Sequence, residues 1–213
     1  MTMFKHVWFD FAGTLYRETP LFNEAHDKLR YGTYAKIVGE QDMSKAEEEY
    51  KTLYKRYGTN AAVFRSLGKS SSFWQDTFDE LDIEKLLQPD LIVAETVEQI
   101  SQQLPVSIFS NFKKDQILSF LKHLEIPATY FTHILDGDAI TVRKPDLEGF
   151  RKMVELSGVP ADQILYIGDR VVADIKPAKR VGMSTCLIYN ESSEADYCVQ
   201  SFGELESIVE QNT

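Results

Sequence analysis

Asp10 ends a short apolar run, His6–Phe9, in the stretch KHVWFDFAGTLYRE, and is followed at once by Phe11, the small pair Ala12–Gly13 and Thr14. A carboxylate on the last residue of a predicted strand, with a glycine turn behind it, is a reactive group held over the edge of a sheet. Three further places carry polar residues at comparable points. Ser110–Asn111 closes the run VSIFSN, Lys144 stands in VRKPD, and Asp169 and Asp174 lie in ILYIGDRVVAD. Parallel sheets bind their ligands outside the carboxyl ends of the strands, which is where all of these would fall. Singly, each has an ordinary explanation. A strand-end aspartate forms turns, a loop lysine is a solvated charge, and Asp174 fits as the N-cap of a helix IKPAKRVG with Pro177 in its tolerant first turn. Their order along the chain, each after a strand or in a connecting loop, favours a shared site.

The elements that must position these residues follow from the hydrophobic pattern. HVWF, VSIFS, THILD, ILYIG and STCLIY are short apolar runs bounded by turn signals, as strands covered on both faces would be. Helical patterns lie between them in DLIVAETVEQISQQL, KKDQILSFLKHLEI and DLEGFRKMVELSG, the last stopped by Gly158. This alternation predicts an α/β fold, a Rossmann-like parallel sheet with helices on both faces. From about Thr19 to Pro89 no strand signal occurs. Thr19–Pro20 reads as an N-cap with proline at the first helical position, SKAE (Ser44, Glu47) and SFWQ (Ser72, Gln75) fit the capping box, and Gly58 and Gly68 are candidate stops. The expected organisation is an α/β core of residues 1–16 and 90–213 interrupted by a domain of four helices over 17–89.

Composition narrows the class of partner. The 213 residues carry a net charge of −10, which disfavours nucleic-acid and anionic-membrane surfaces. No apolar run is long enough to span a bilayer, and the N-terminus lacks the pattern of a signal peptide. Cys186 and Cys198 make no disulfide framework, and Cys186 in STCLIY reads as a buried thiol in a reducing compartment. A cytoplasmic protein is the expectation; monomer and homodimer are both open.

The set DFAGTLY, SN, KPD and GDRVVAD, in that order, resembles the haloacid dehalogenase-like hydrolase superfamily over essentially the whole chain, and the helical insert resembles that family's C1-type cap. The resemblance implies a phosphatase mechanism. Asp10 would be the nucleophile, forming an aspartyl-phosphate that water hydrolyses. Mg²⁺ would be held by Asp10, the Ala12 carbonyl and Asp169, with Asp174 as ligand or close behind, a set of hard oxygens suited to that ion. Ser110, neighbouring backbone N–H groups and Lys144 would hold the phosphoryl oxygens, and Lys144 would offset the charge of an anionic nucleophile meeting an anionic substrate. Asn111 belongs to the same predicted substrate set. Arg17, just past the first motif, is a candidate substrate contact, and Arg30, Arg65 and Trp74 are weaker ones.

One position departs from the family pattern. Its phosphatases usually carry a second aspartate two residues after the nucleophile, which protonates the leaving oxygen and then activates water; here that residue is Ala12. General acid–base help of this kind is worth on the order of 10²–10⁴-fold. Phosphonoacetaldehyde hydrolases of the family share the Asp-x-Ala-Gly-Thr pattern but use a cap lysine as Schiff base. The family's 2-haloacid dehalogenases also lack the second aspartate and need no metal, which the acidic pair Asp169 and Asp174 disfavours. A phosphate-binding domain without turnover would need the same anion site. The preferred expectation is a Mg²⁺-dependent phosphatase of a small phosphorylated metabolite that works without the second aspartate.

Overall fold

The computed structural model describes residues 3–212. Six strands, β1 (His6–Phe9), β2 (Val106–Phe109), β3 (Phe131–Leu135), β4 (Ile164–Gly168), β5 (Ser184–Ile188) and β6 (Tyr197–Val199), form one sheet in the order β3-β2-β1-β4-β5-β6. Every neighbouring pair is parallel. Five of these strands are the five predicted runs. Every residue of β1, β2 and β4 is buried, the condition that produces runs without polar alternation. β3, at the sheet edge, is covered less completely: Thr132 is exposed and His133 and Ile134 are half-buried.

The strand order reverses at β1. The chain moves outward through β2 and β3 on one side and through β4, β5 and β6 on the other, so the switch point lies between β1 and β4. A doubly wound sheet opens a crevice at that point, and Asp10 and Asp169 are the residues immediately after those two strands.

Among the described residues the inserted helical stretch after β1 holds five helices, α1 (Pro20–Val38), α2 (Met43–Tyr57), α3 (Asn60–Ser66), α4 (Phe73–Phe78) and the one-turn α5 (Ile83–Leu86), where four were expected. The sheet unit then uses α6 (Leu91–Gln103), α7 (Lys114–His123), α8 (Leu147–Ser157), α9 (Lys176–Arg180) and α10 (Glu204–Glu210). None of the described helices is long and apolar enough to cross a membrane. By its contacts the chain divides into an α/β unit, up to Arg17 and again from Gln88, and a helical unit, Glu18–Leu87. Arg17 therefore groups with the sheet, one residue beyond the expected boundary.

The helical unit has its own core of rings, with Tyr50, Phe64, Trp74 and Phe78 all buried. Its entry is built as expected: Thr19 Oγ1 accepts from the Phe22 amide at 3.1 Å, with Pro20 in the first turn. Two caps differ from the sequence reading. Asp42, not Ser44, caps α2, accepting from the amides of Ser44 and Lys45. Ser72 occupies the N-cap position of α4 but makes no capping hydrogen bond.

Candidate active site

The residues singled out by order along the chain meet at the carboxyl edge of β1 and β4. Asp10 continues β1 by donating its amide to the Ile167 carbonyl at 2.8 Å, and its side chain is buried. Lys144 reaches it from the loop before α8. The ammonium donates to Asp10 Oδ1, to Asp174 Oδ1 at 2.9 Å and to Tyr166 Oη at 3.1 Å, with the Phe109 carbonyl at 3.3 Å. It is 3% exposed, so an ion of one sign is sealed between two of the other.

Asn111 is placed differently from its predicted role. Its Oδ1 accepts from the Lys144 amide at 3.0 Å and its amide lies 3.5 Å from the Lys144 carbonyl. The side chain is thus engaged in pinning the loop that delivers the lysine. Ser110 is buried beside it, and its Oγ accepts from the Phe112 amide at 3.2 Å. Among the described residues its hydroxyl proton has no acceptor, which leaves a donor available at the end of β2.

Asp174 is not the N-cap of α9; Ile175 occupies that position. Asp174 lies inside a π-helical turn, Val171–Ile175, whose wider winding turns its carboxylate back toward the sheet. There it accepts from Lys144 and from Tyr166 Oη (3.1 Å) at one oxygen and from the Arg170 amide (3.2 Å) at the other. This close return needs Gly168, since a Cβ there would lie 2.6 Å from that of Asp174.

Asp169 is the exception in this network: among the described residues its buried Oδ1 has no hydrogen-bond partner. The Arg170 Nε stands 3.5 Å from it and 3.6 Å from Asp174 Oδ2, a loose ion pair to both. Gly13, at φ +83°, brings the nucleophile loop onto this carboxylate; a Cβ would sit 2.5 Å from Asp169 Oδ2 and would also be strained by the backbone angle. One oxygen from each of Asp10, Asp169 and Asp174 lies within 4.8 Å of the others.

Such crowding sets the charges. Burial pushes the Asp169 carboxyl up to about 8, helped by the charge of Asp10, and burial likewise raises Asp10 despite Lys144. Burial would also raise Asp174, but Lys144, Arg170 and the hydrogen bonds from Lys144 and Tyr166 hold it below the ordinary carboxylate range. Burial works against the Lys144 ammonium, yet Asp10 and Asp174 outweigh it and keep the group protonated above its usual range. The site thus holds more acid than its own cations neutralise.

Tyr166 and Arg170 are members of this cluster that the sequence reading passes over. A tyrosine in a strand buried on both faces must find a partner for its hydroxyl, which is the signal that could have flagged Tyr166. Arg170 stands four residues before Asp174 and next to Asp169, a charge pattern legible in GDRVVAD. Arg17 lies with its guanidinium over the Tyr189 ring, 4.8 Å from the centroid. Of the weaker candidates in the helical unit, Trp74 is a core ring stacked on Phe64, and Arg30 pairs with Asp27 and lies against tyrosine rings.

A doubly wound parallel sheet thus carries a lysine-bridged carboxylate cluster at its switch point. The family model for haloacid dehalogenase-like hydrolases matches residues 7–188, and the chain belongs to that family. A glyceraldehyde 3-phosphate phosphatase of Methanocaldococcus jannaschii is 36% identical over 87 residues, covering 38% of each chain. The chain thus matches only about two fifths of that relative's length. A phosphoglycolate phosphatase of Pectobacterium atrosepticum is 24% identical over 96% of this chain and 92% of its own. Among solved structures, a HAD phosphatase from Thermococcus onnurineus superposes with a TM-score of 0.72 at 22% identity, over 96% of this chain and 97% of the other. The L-2-haloacid dehalogenase of Xanthobacter autotrophicus gives 0.66 at 18% identity, over 99% of this chain and 100% of the other. Similarity at that level speaks for the fold alone.

Proposed function

We propose that the protein is a Mg²⁺-dependent phosphatase of a small phosphorylated metabolite, with Asp10 as nucleophile and the helical unit as its cap. The observation that carries this reading is the buried carboxylate of Asp10 held by Lys144, with an Asp169 oxygen nearby that accepts no hydrogen bond among the described residues. The phosphatase names of the similar proteins point the same way.

The residues fit the metal. Asp169 Oδ1 lacks a partner, three carboxylates converge, and the donors are all hard oxygen, the set Mg²⁺ prefers. Asp10, the Ala12 carbonyl and Asp169 would hold it, with Asp174 alongside; when bound it would neutralise the excess acid and draw charge from a phosphoryl group. Asp10 then attacks phosphorus as the bond to the leaving oxygen breaks, and water attacks the resulting acyl phosphate to release inorganic phosphate and restore the carboxylate. Lys144 holds the nucleophile by Oδ1, and Ser110 Oγ–H is free to donate to a phosphoryl oxygen. Mg²⁺ at a hundred times its Kd is expected to add about 2.7 kcal/mol of stability by linkage. Thermal unfolding followed with and without Mg²⁺ should show this rise in wild type and much less of it in Asp169→Asn; an equal rise in both removes Asp169 from the site.

Ala12 shapes the expected activity. With no carboxylate at that position, esters whose leaving oxygen tolerates negative charge are favoured, so aryl phosphates are expected to react far faster than alkyl phosphates. Ala12→Asp should recover alkyl-ester turnover by at most ~10²–10⁴-fold, with little gain on aryl esters. Steady-state rates on a matched aryl and alkyl pair, each with and without Mg²⁺, test this. Equal wild-type rates on both, with Ala12→Asp inert or harmful, would show that the acid is not missing.

A further inference from the structure

Tyr189 follows β5 in the left-handed backbone region, at φ 64°, and is not a glycine. A bulky side chain is rarely held there, and such strain concentrates at ligand clamps and active sites. What the conformation achieves is visible in the contacts of its neighbours. The next residue, Asn190, directs its side-chain amide at the Asp169 carbonyl, 3.4 Å away. The Tyr189 ring lies under the guanidinium of Arg17, at 4.8 Å from the centroid.

The sheet order gives this contact its meaning. Arg17 belongs to the loop after β1 and Tyr189 to the loop after β5, while β4 runs between those two strands. A contact between the two loops therefore bridges the carboxyl end of β4, where Asp169 stands. Arg17 is exposed, and among the described residues its side chain makes no hydrogen bond and no ion pair. In a chain of net charge −10 an arginine in the loop after β1 has ample choice of partners. This one instead places its guanidinium carbon 4.8 Å from the centre of the Tyr189 ring and, among the described residues, bonds to no acceptor. A guanidinium held over a ring with its N–H groups unbonded can take an oxyanion in two parallel hydrogen bonds.

We infer that Arg17, held by Tyr189, is a specificity subsite for a second oxyanion on the leaving group, so that the substrate is the phosphate ester of a small alcohol that itself bears a carboxylate or a second phosphate. This rests on the phosphatase reading for the reaction but concerns a different group of the substrate. Tyr189 acts as a positioning residue: it supplies the face on which the arginine lies.

Kinetics on three phosphate esters of matched alcohols, bearing a carboxylate, a second phosphate or a neutral amide, test the subsite. Arg17→Ala is expected to lower kcat/KM for an anionic ester by about 10–100-fold, the worth of a charge-assisted bidentate contact, and to leave the neutral ester within about twofold. Arg17→Lys should recover only part of the loss, because it keeps the charge without the fork, and Tyr189→Leu should fall in the same direction as Arg17→Ala. The anionic ester that loses more identifies the oxyanion. An equal loss on all three esters, or no loss, overturns the inference. A binding arm separates it from the reaction itself: calorimetric titration of the carboxylate and bisphosphate esters into Asp10→Asn and into Asp10→Asn/Arg17→Ala requires no turnover. Weaker binding of an anionic ester by the double variant sustains the subsite even where wild type hydrolyses none of the esters, an outcome that would sink only the phosphatase reading. Equal binding by the two proteins overturns the subsite.

Discussion

Asp10→Asn is expected to fold like wild type and to lose at least ~10⁴-fold of phosphate-ester turnover, the scale on which removal of a nucleophile acts. The two halves of this expectation have separate physical causes. Asparagine is isosteric with aspartate, and its Oδ1 can still accept from Lys144. The ammonium also keeps Asp174, Tyr166 and the Phe109 carbonyl. No charge is stranded, so thermal unfolding should move little. The amide, however, has no oxygen able to displace an alkoxide from phosphorus. Turnover assays beside a melting curve decide the matter. Residual activity within tenfold of wild type would remove Asp10 from the nucleophile's place, and a collapse of the fold would make it a structural residue.

Lys144→Met is the contrasting case, with its largest effect on stability. Methionine fills the volume of the lysine stem but leaves Asp10 and Asp174 buried without their shared cation. Breaking a buried pair from one side costs about 3–5 kcal/mol, because a charge is left uncompensated. The deficit should depend on pH, with a sign set by the carboxyls. In wild type burial already raises Asp10, and Lys144, with Arg170 and Tyr166, holds Asp174 low. Without the lysine Asp10 rises further above its unfolded value and Asp174 loses its largest counter-charge, so the folded variant binds more protons than wild type does and its stability rises as pH falls through the raised Asp10 value. Urea unfolding of both proteins at pH 8 and pH 5 should show the gap closing at the lower pH. A deficit below about 1 kcal/mol, or one that widens in acid, would mean that Lys144 is not the counter-ion of this cluster.

The parts of this molecule legible from sequence are those in which one residue type has one job. Strands covered on both faces have to be apolar throughout, so HVWF, VSIFS and ILYIG could be read directly. β6 could not be: it is three residues long at the sheet edge, Cys198 in its middle is exposed, and only Val199 is fully buried. The carboxylates and the lysine of the site were legible from their order. Their partners were less so, because an asparagine beside a serine looks alike whether it faces a ligand or pins a loop, as Asn111 does to Lys144. Asp174 does not take the cap position that the sequence also allows, because Ile175 fills it at the end of the π-helical turn, and the carboxylate instead meets Lys144 and Tyr166. The Arg17–Tyr189 contact joins loops 172 residues apart in number and has no local pattern at all. Ser44 yields the cap to Asp42 for a simpler reason, since two capping residue types stand two positions apart around one helix start.

Thr19 has a consequence for how this chain can change over generations. The same hydroxyl that caps α1 also donates to the Leu86 carbonyl at 3.1 Å, so the first and last turns of the inserted helices are tied to each other. An insertion whose two ends are sewn together from within behaves as a cassette. It can lengthen, shorten or exchange its helices without altering the separation of the two points at which the sheet receives it. Inheritance can therefore revise the helical unit wholesale while the lysine-bridged carboxylates stay where they are, and a family built this way can diversify by replacing one contiguous block of its coding sequence.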